Sequence, residues 1–192
     1  MSRILVTYFG PFKHFQDNPA ELVGRKLEEL HLNSKQINFK KLDVTFDCID
    51  HFVESELEKF DFVLQLGVAS KSEKLRIELV GKNEVKGTDN LGVTKGGIID
   101  EKTSLKLHTL FDNLKLESLL KKYPKEVVLS ENAGTYLCNY LYFNSIKKGA
   151  NKQIVFIHLA NFQDLALAVS FKKQVEIVSL LIEDLVEILE LT

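Results

Sequence analysis

Residues 127–160 read VVLSENAGTYLCNYLYFNSIKKGANKQIVFIHLA, and the order of elements they encode is the key to the chain. Val127 to Leu129 is a short apolar run with the character of a strand. Asn132 and Gly134 supply a polar turn. Tyr136 to Lys148 carries a helical pattern, and Gly149 stops it. Ile154 to Ile157 is a second apolar run, ending at His158. A crossover helix returns the chain to the same end of a sheet, so these two strands run parallel. A further helix follows, amphipathic from Gln174 to Leu191 through Ile177, Leu181, Leu185, Ile188 and Leu189. The alternation predicts an α/β sheet with helices on both faces.

Upstream the same grammar continues. Ile4 to Thr7 reads as a buried strand, and Gly10-Pro11 as a turn. Asn18 before Pro19 reads as an N-cap and first helical position, opening a helix to about His31 through Leu22, Val23, Leu27 and Leu30. Phe39 to Phe46 alternates as a strand. Ile49, Phe52, Val53 and Leu57 mark a short helix. Phe62 to Leu66, closed by Gly67, reads as a central strand, and Leu75 to Val80 as another. Gly81 to Gly97 is polar and Gly-rich and predicts a long loop, a feature that is uncommon and often functional. Leu105 to Leu110 reads as a strand. Leu114 to Lys122 reads as a helix stopped by Pro124.

Size and composition bound the answer. With 192 residues the chain is expected to form one domain, 1–192, with a core that needs no disulfide staples. Its 25 basic and 27 acidic residues leave a net charge of −2, which argues against a nucleic-acid partner. Two Cys cannot build a disulfide framework, so a cytoplasmic home is expected. The apolar run in MSRILVTYFG is too short for a signal segment, and no stretch is long enough to span a membrane.

In an open α/β sheet, sites form at the carboxyl ends of strands. Cys138 falls in the first turns of the helix after one strand, His158 at the end of the next, and Glu78 near the end of the strand from Leu75. A thiol at a helix start feels the positive end of the macrodipole, an imidazole can take its proton, and a carboxylate can hold the other ring nitrogen. On spacing alone, a lone helical Cys reads first as a small buried apolar residue. Cys48 with Asp47, Asp50 and His51 is a rival cluster, but it lacks a second spaced pair for zinc. His14, His31 and His108 read as surface or loop histidines. Phe9, Phe12 and Phe15 around the Gly-Pro turn read as core packing, or as the wall of an apolar pocket.

Taken in order, several segments resemble the pyroglutamyl peptidase I family. VTYFGPF (Val6 to Phe12) and NPA (Asn18 to Ala20) are similar to its first turn, and LQLGVAS (Leu64 to Ser70) to its central strand. IELVGKN (Ile77 to Asn83) with GTDNLG (Gly87 to Gly92) resembles its glutamate segment. LSENAGTYLCNYLYF (Leu129 to Phe143) resembles its nucleophile segment, and VFIHLA (Val155 to Ala160) its histidine segment. The resemblance implies a single three-layer α/β/α domain with a twisted, mostly parallel sheet. It implies Cys138 as nucleophile, His158 as general base and acid, and Glu78 as the group orienting the imidazole. Phe9, Phe12 and Asn18 are the implied substrate-binding residues. Tyr8, where the family usually has Gly, and Leu159, where it tends to have Pro, depart from the pattern.

The implied activity is that of a cysteine peptidase cleaving the bond after an amino-terminal pyroglutamyl residue, through a thioester and without metal or organic cofactor. Peptides bearing that residue are the expected partners, and a homo-oligomer is compatible with the reading. Phe9 and Phe12 are expected to sandwich the lactam ring, with backbone groups of the Gly-rich loop serving its polar atoms. A binding protein repurposed on the same scaffold is the alternative. A nucleoside phosphorylase would need a phosphate site that the sequence does not display.

Overall fold

Phe62–Ala69 and Gln153–Ala160, the two longest strands, pair in parallel along eight residues at the middle of the sheet. The structure, a computed structural model, describes residues 3–12, 17–111 and 113–191, without the side chains of 113–115 and 188–191. His14 and Phe15 lie outside the described residues, as do the side chains of Leu114, Ile188 and Leu189. The strands in chain order are β1 (Ile4–Phe9), β2 (Ile37–Leu42), β3 (Phe62–Ala69), β4 (Leu75–Glu78), β5 (Val80–Lys82), β6 (Val85–Thr88), β7 (Thr94–Gly97), β8 (Lys106–His108), β9 (Val127–Ser130) and β10 (Gln153–Ala160). The helices are α1 (Pro19–Leu30), α2 (Phe46–Ser55), α3 (Asn113–Lys122), α4 (Leu137–Lys148) and α5 (Phe171–Leu191).

Six strands form the main sheet in the order β2-β1-β3-β10-β4-β9. All its pairings are parallel except β10 with β4, so β4 and β9 run against the other four strands; this corrects the expectation that the strands before and after α4, β9 and β10, run parallel, because β9 joins the sheet beyond the reversed β4. Apolar residues on both faces of β1, β3 and β10 are what a doubly covered sheet requires. Odd-numbered β10 residues Val155, Ile157 and Leu159 pack in one core with Val23 and Leu27 of α1 and Val178 and Leu181 of α5. Even-numbered Ile154 and Phe156 pack in the other with Phe52 of α2 and Leu141 of α4. That period of two puts His158 on the α2/α4 face. No helix among the described residues is long and apolar enough to cross a membrane.

The structure corrects several expected boundaries. The run Leu75 to Val80 is two strands: the chain leaves the main sheet at Leu79, whose carbonyl accepts from Thr109 N at 3.0 Å, and β5 pairs with β8 instead. Gly81 to Gly97 is not a long loop, because β5 ends within it and β6 and β7 make an antiparallel hairpin. Gly87, Gly92 and Gly97 take positive φ there, and the strands are polar and mostly exposed, so no apolar alternation betrays them. β2 ends at Leu42, since Thr45 Oγ1 accepts from Cys48 N at 3.2 Å and caps α2 at Phe46. β10 runs on to Ala160, so His158 sits inside a strand rather than closing it.

Candidate active site

The antiparallel pairing of β4 with β10 sets Glu78 opposite Phe156 and Arg76 opposite His158. Residues two apart on a strand share a face, so Arg76, Glu78 and His158 all point toward α4. Cys138 is the second residue of that helix, after a turn in which Gly134 takes φ +81° and Tyr136 is the N-cap. The three expected catalytic residues therefore meet, although they come from three elements.

His158 Nδ1 lies 2.8 Å from Glu78 Oε1. The Cys138 thiol stands on the same side of the site, close enough to act on the imidazole's charge. With Nδ1 taken by the carboxylate, Nε2 is the nitrogen left for the thiol. Glu78 is wholly buried and His158 is 6% exposed, so the pair is shielded from water. The second carboxylate oxygen accepts from Asn132 N at 3.2 Å. Burial opposes charge on the His158 ring, but Cys138 and the hydrogen bond to Glu78, with the charges of both, push its pKa up to about 9. Burial likewise opposes charge on Glu78, and hydrogen bonds from His158 and Ser130, with the His158 and Arg76 charges, outweigh it and hold its pKa below the ordinary value. The arrangement can store a proton on the imidazole beside a sulfur nucleophile.

Cys138 and His158 open into a cavity of about 480 Å³. Phe9, Phe12, Val44, Val68 and Tyr136 supply its apolar lining. Asn18, Ser70, Lys71, Arg76 and Asn132 supply polar lining. The Phe12 ring packs on Tyr136 at 5.3 Å between centroids. Glu78 lies behind His158 and is not part of the wall. Asn18 is committed at both ends of its amide: Oδ1 accepts from Ala20 N at 3.0 Å and Nδ2 donates to Gly10 O at 2.7 Å. It reaches the cavity as the strut that shapes the Phe9–Phe12 turn.

No described residue of 81–97 lines the cavity, which corrects the expectation that the Gly-rich segment serves the ligand. The polar rim comes instead from residues 70–72 after β3 and 132–135 before α4. The hairpin acts indirectly, because Tyr136 OH donates to Thr88 O at 2.6 Å and its ring fills the space a Gly87 side chain would need.

The rival cluster disperses. Asp50 binds Lys95 and Tyr140, burial pushes the Cys48 thiol up, and no group of three metal-ligating side chains gathers among the described residues. His31 is half-buried against Phe39 and Ser179, not a simple surface histidine, whereas His108 is exposed on β8. Sequence reasoning missed Arg76, Asn132 and Tyr136. Arg76 carried a usable signal, two residues before Glu78 in a strand.

The family match covers residues 2–191 and is to the pyroglutamyl peptidases. A pyrrolidone-carboxylate peptidase of Coprothermobacter proteolyticus is 33% identical over 155 residues, 74% of this chain and 72% of that one. The pyrrolidone-carboxylate peptidase of Pyrococcus furiosus is 29% identical over 169 residues, 82% of this chain and 80% of that one. The structure resembles the pyrrolidone carboxyl peptidase of Thermococcus litoralis with a TM-score of 0.84, covering 99% of this chain and 96% of that chain, at 22% identity. At that identity the structural likeness speaks for the fold.

Proposed function

The chain belongs to the pyroglutamyl peptidase family, and on that premise we propose that it removes amino-terminal pyroglutamate from peptides with Cys138, His158 and Glu78 as its catalytic group. The observation that carries the reading is the His158–Glu78 contact of 2.8 Å beside the Cys138 thiol, at the wall of a phenylalanine-lined cavity.

A pyroglutamyl residue has lost its ammonium in a lactam. A cavity with an aromatic wall and a polar rim suits it, and a free amino terminus would carry a charge against that apolar wall at high cost. Phe9 and Phe12 hold the ring. Cys138 attacks the carbonyl joining pyroglutamate to the next residue, and the thiol proton goes to His158. The tetrahedral oxyanion faces N–H groups at the start of α4, which have no partner inside the helix. Such a donor is worth about 3–4 kcal/mol in the transition state. His158 returns the proton to the leaving amine as the C–N bond breaks, leaving a thioester. Water, deprotonated by the same imidazole, hydrolyses it and restores the thiol. One unit, 1–192, suffices for these steps, and its two unpaired cysteines favour the cytoplasm.

Tyr8 and Leu159, the departures that motivated a repurposed binding protein, lie in the α1/α5 core and do not line the cavity. Tyr8 fits because Gly24 of α1 leaves room for its ring, and its OH binds Glu28 at 3.1 Å. That alternative has no basis in the site.

Pyroglutamyl and glutaminyl fluorogenic amides test the proposal. The pyroglutamyl amide is expected to be cleaved and the glutaminyl amide ignored. Phe12→Ala is expected to raise KM about tenfold, the share of an aromatic side chain's burial that a small ring can claim. Equal rates on the two amides would overturn the reading.

A further inference from the structure

Among the described residues, Arg76 is the Lys or Arg side chain in contact with the Glu78–His158 pair. Its Nε lies 3.3 Å from Glu78 Oε1, the same oxygen that meets His158 Nδ1. Nη2 is anchored on Ser130 Oγ at 2.6 Å and on Asn132 O at 3.0 Å. Its Nε is fully buried and makes no well-directed hydrogen bond among the described residues, so the Glu78 carboxylate is its electrostatic partner. The strand explains the placement: Leu75 and Ile77 turn into the α1/α5 core, which sends Arg76 and Glu78 together to the other face.

We propose that Arg76 is a positioning residue for the peptidase chemistry, holding Glu78 oriented and supplying the charge that balances a thiolate–imidazolium–carboxylate row whose imidazole and carboxylate are buried. This rests on the reading of the site as a cysteine peptidase. With sulfur negative, imidazole positive and carboxylate negative, the row carries one net negative charge. The guanidinium brings it to zero. A buried net charge is costly, and without the cation the group relieves it by binding a proton more tightly. Among the described residues, the titratable or charged groups facing Glu78 and His158 are few. Arg76 comes from β4 and Cys138 from α4, and the Tyr142 phenol of α4 donates to the Glu78 carbonyl at 2.6 Å. Lys71, from the segment after β3, lines the same cavity. Of these, Arg76 is the cation in contact with the carboxylate.

Arg76→Gln removes the charge, Arg76→Met fills the slot without charge, and Arg76→Lys keeps the charge but loses the fork. Two readouts are taken on each: the pH profile of kcat/KM on a pyroglutamyl amide, and the His158 ring titration by NMR. The chain has five histidines, so a His158→Ala spectrum identifies the resonance. Both limbs of the profile and the His158 titration are expected to move up by about 1 pH unit in the Gln and Met variants, the scale of one nearby charge. Activity lost at pH 7 then returns at higher pH. Arg76→Lys is expected to keep the wild-type titration position. If either uncharged variant folds and its titration stays in place, or if Lys shifts as far as Gln, the proposal is overturned. The NMR titration needs no substrate, so a wild-type protein inert on pyroglutamyl amides would defeat the functional reading while Arg76 is still tested.

Discussion

Replacing Gly67 by alanine puts a methyl group between the Cys138 sulfur and the Phe156 ring. Gly67 pairs with His158 across the β3–β10 ladder. A Cβ there would stand 2.7 Å from Phe156 Cζ and 3.0 Å from Cys138 Sγ. Comfortable separations are about 3.5–4.0 Å, so the ring must yield roughly 1 Å and the sulfur somewhat less. Phe156 is fully buried and packed against Tyr142 and His158, with ring centroids 5.8 and 4.8 Å away, so it yields poorly. The thiol yields more easily, by turning away from the imidazole. Overpacking of this kind costs about 1–3 kcal/mol. For a chain of this size that lowers Tm by about 2–12 °C. A displacement near 1 Å at a reacting atom costs on the order of 100-fold in rate. Gly67→Ala is therefore expected to lose about 100-fold in kcat/KM on a pyroglutamyl amide, beyond what its modest loss of stability explains at 25 °C. Calorimetry and kinetics on one preparation check this. A variant with wild-type Tm and kcat/KM would refute the packing of Cys138 against β3.

Glu78→Gln keeps the side chain's size but removes its charge and can select the wrong His158 tautomer. We expect kcat to fall roughly 10- to 1,000-fold with a small change in Tm, less than the ~10⁴ of an analogous serine triad. A folded Glu78→Gln protein with wild-type kcat would leave a Cys138–His158 dyad. The kcat/KM profile of the wild type should fall as pH rises through about 9, where the imidazolium is lost. Because the folded pKa of His158 lies above its ordinary 6.5, the stability it contributes is complete below 6.5 and lost as pH rises through about 9, which denaturant midpoints across pH 6–10 should report. Limited iodoacetamide labelling with peptide mass mapping should modify Cys138 before Cys48, whose thiol burial pushes up. Labelling of Cys48 with activity intact contradicts the assignment.

Much of this was legible because the main sheet is covered on both faces. Buried strands such as β1, β3 and β10 must be continuous apolar runs, and Asn18-Pro19 announces α1 through capping chemistry that depends only on local backbone. The β6–β7 hairpin was illegible for the opposite reason. It is polar and exposed, and its glycines read as loop until the pairing of Val85 with Gly97 is seen. The break at Leu79 was hidden because Leu75 to Val80 is apolar enough for one strand; the tertiary contacts to Ser130 and Thr109 divide it. The candidate catalytic residues were named by resemblance, since nothing in the spacing of 78, 138 and 158 reveals that an antiparallel β4–β10 pairing brings them together. Arg76 escaped notice because an arginine at alternating spacing in a strand usually faces solvent, and only the anchors at Ser130 and Asn132 show that this one turns inward.

The most direct test of the central claim is a trap for the covalent intermediate. A pyroglutamyl ester or amide is mixed with the wild-type protein, quenched in acid within milliseconds, and the protein is digested and weighed. The account expects one pyroglutamyl acyl group on the peptide carrying Cys138, removed by hydroxylamine as a thioester is, and absent from Cys138→Ala. Rapid turnover of the substrate by Cys138→Ala, or an acyl group found on Cys48 instead, would contradict it.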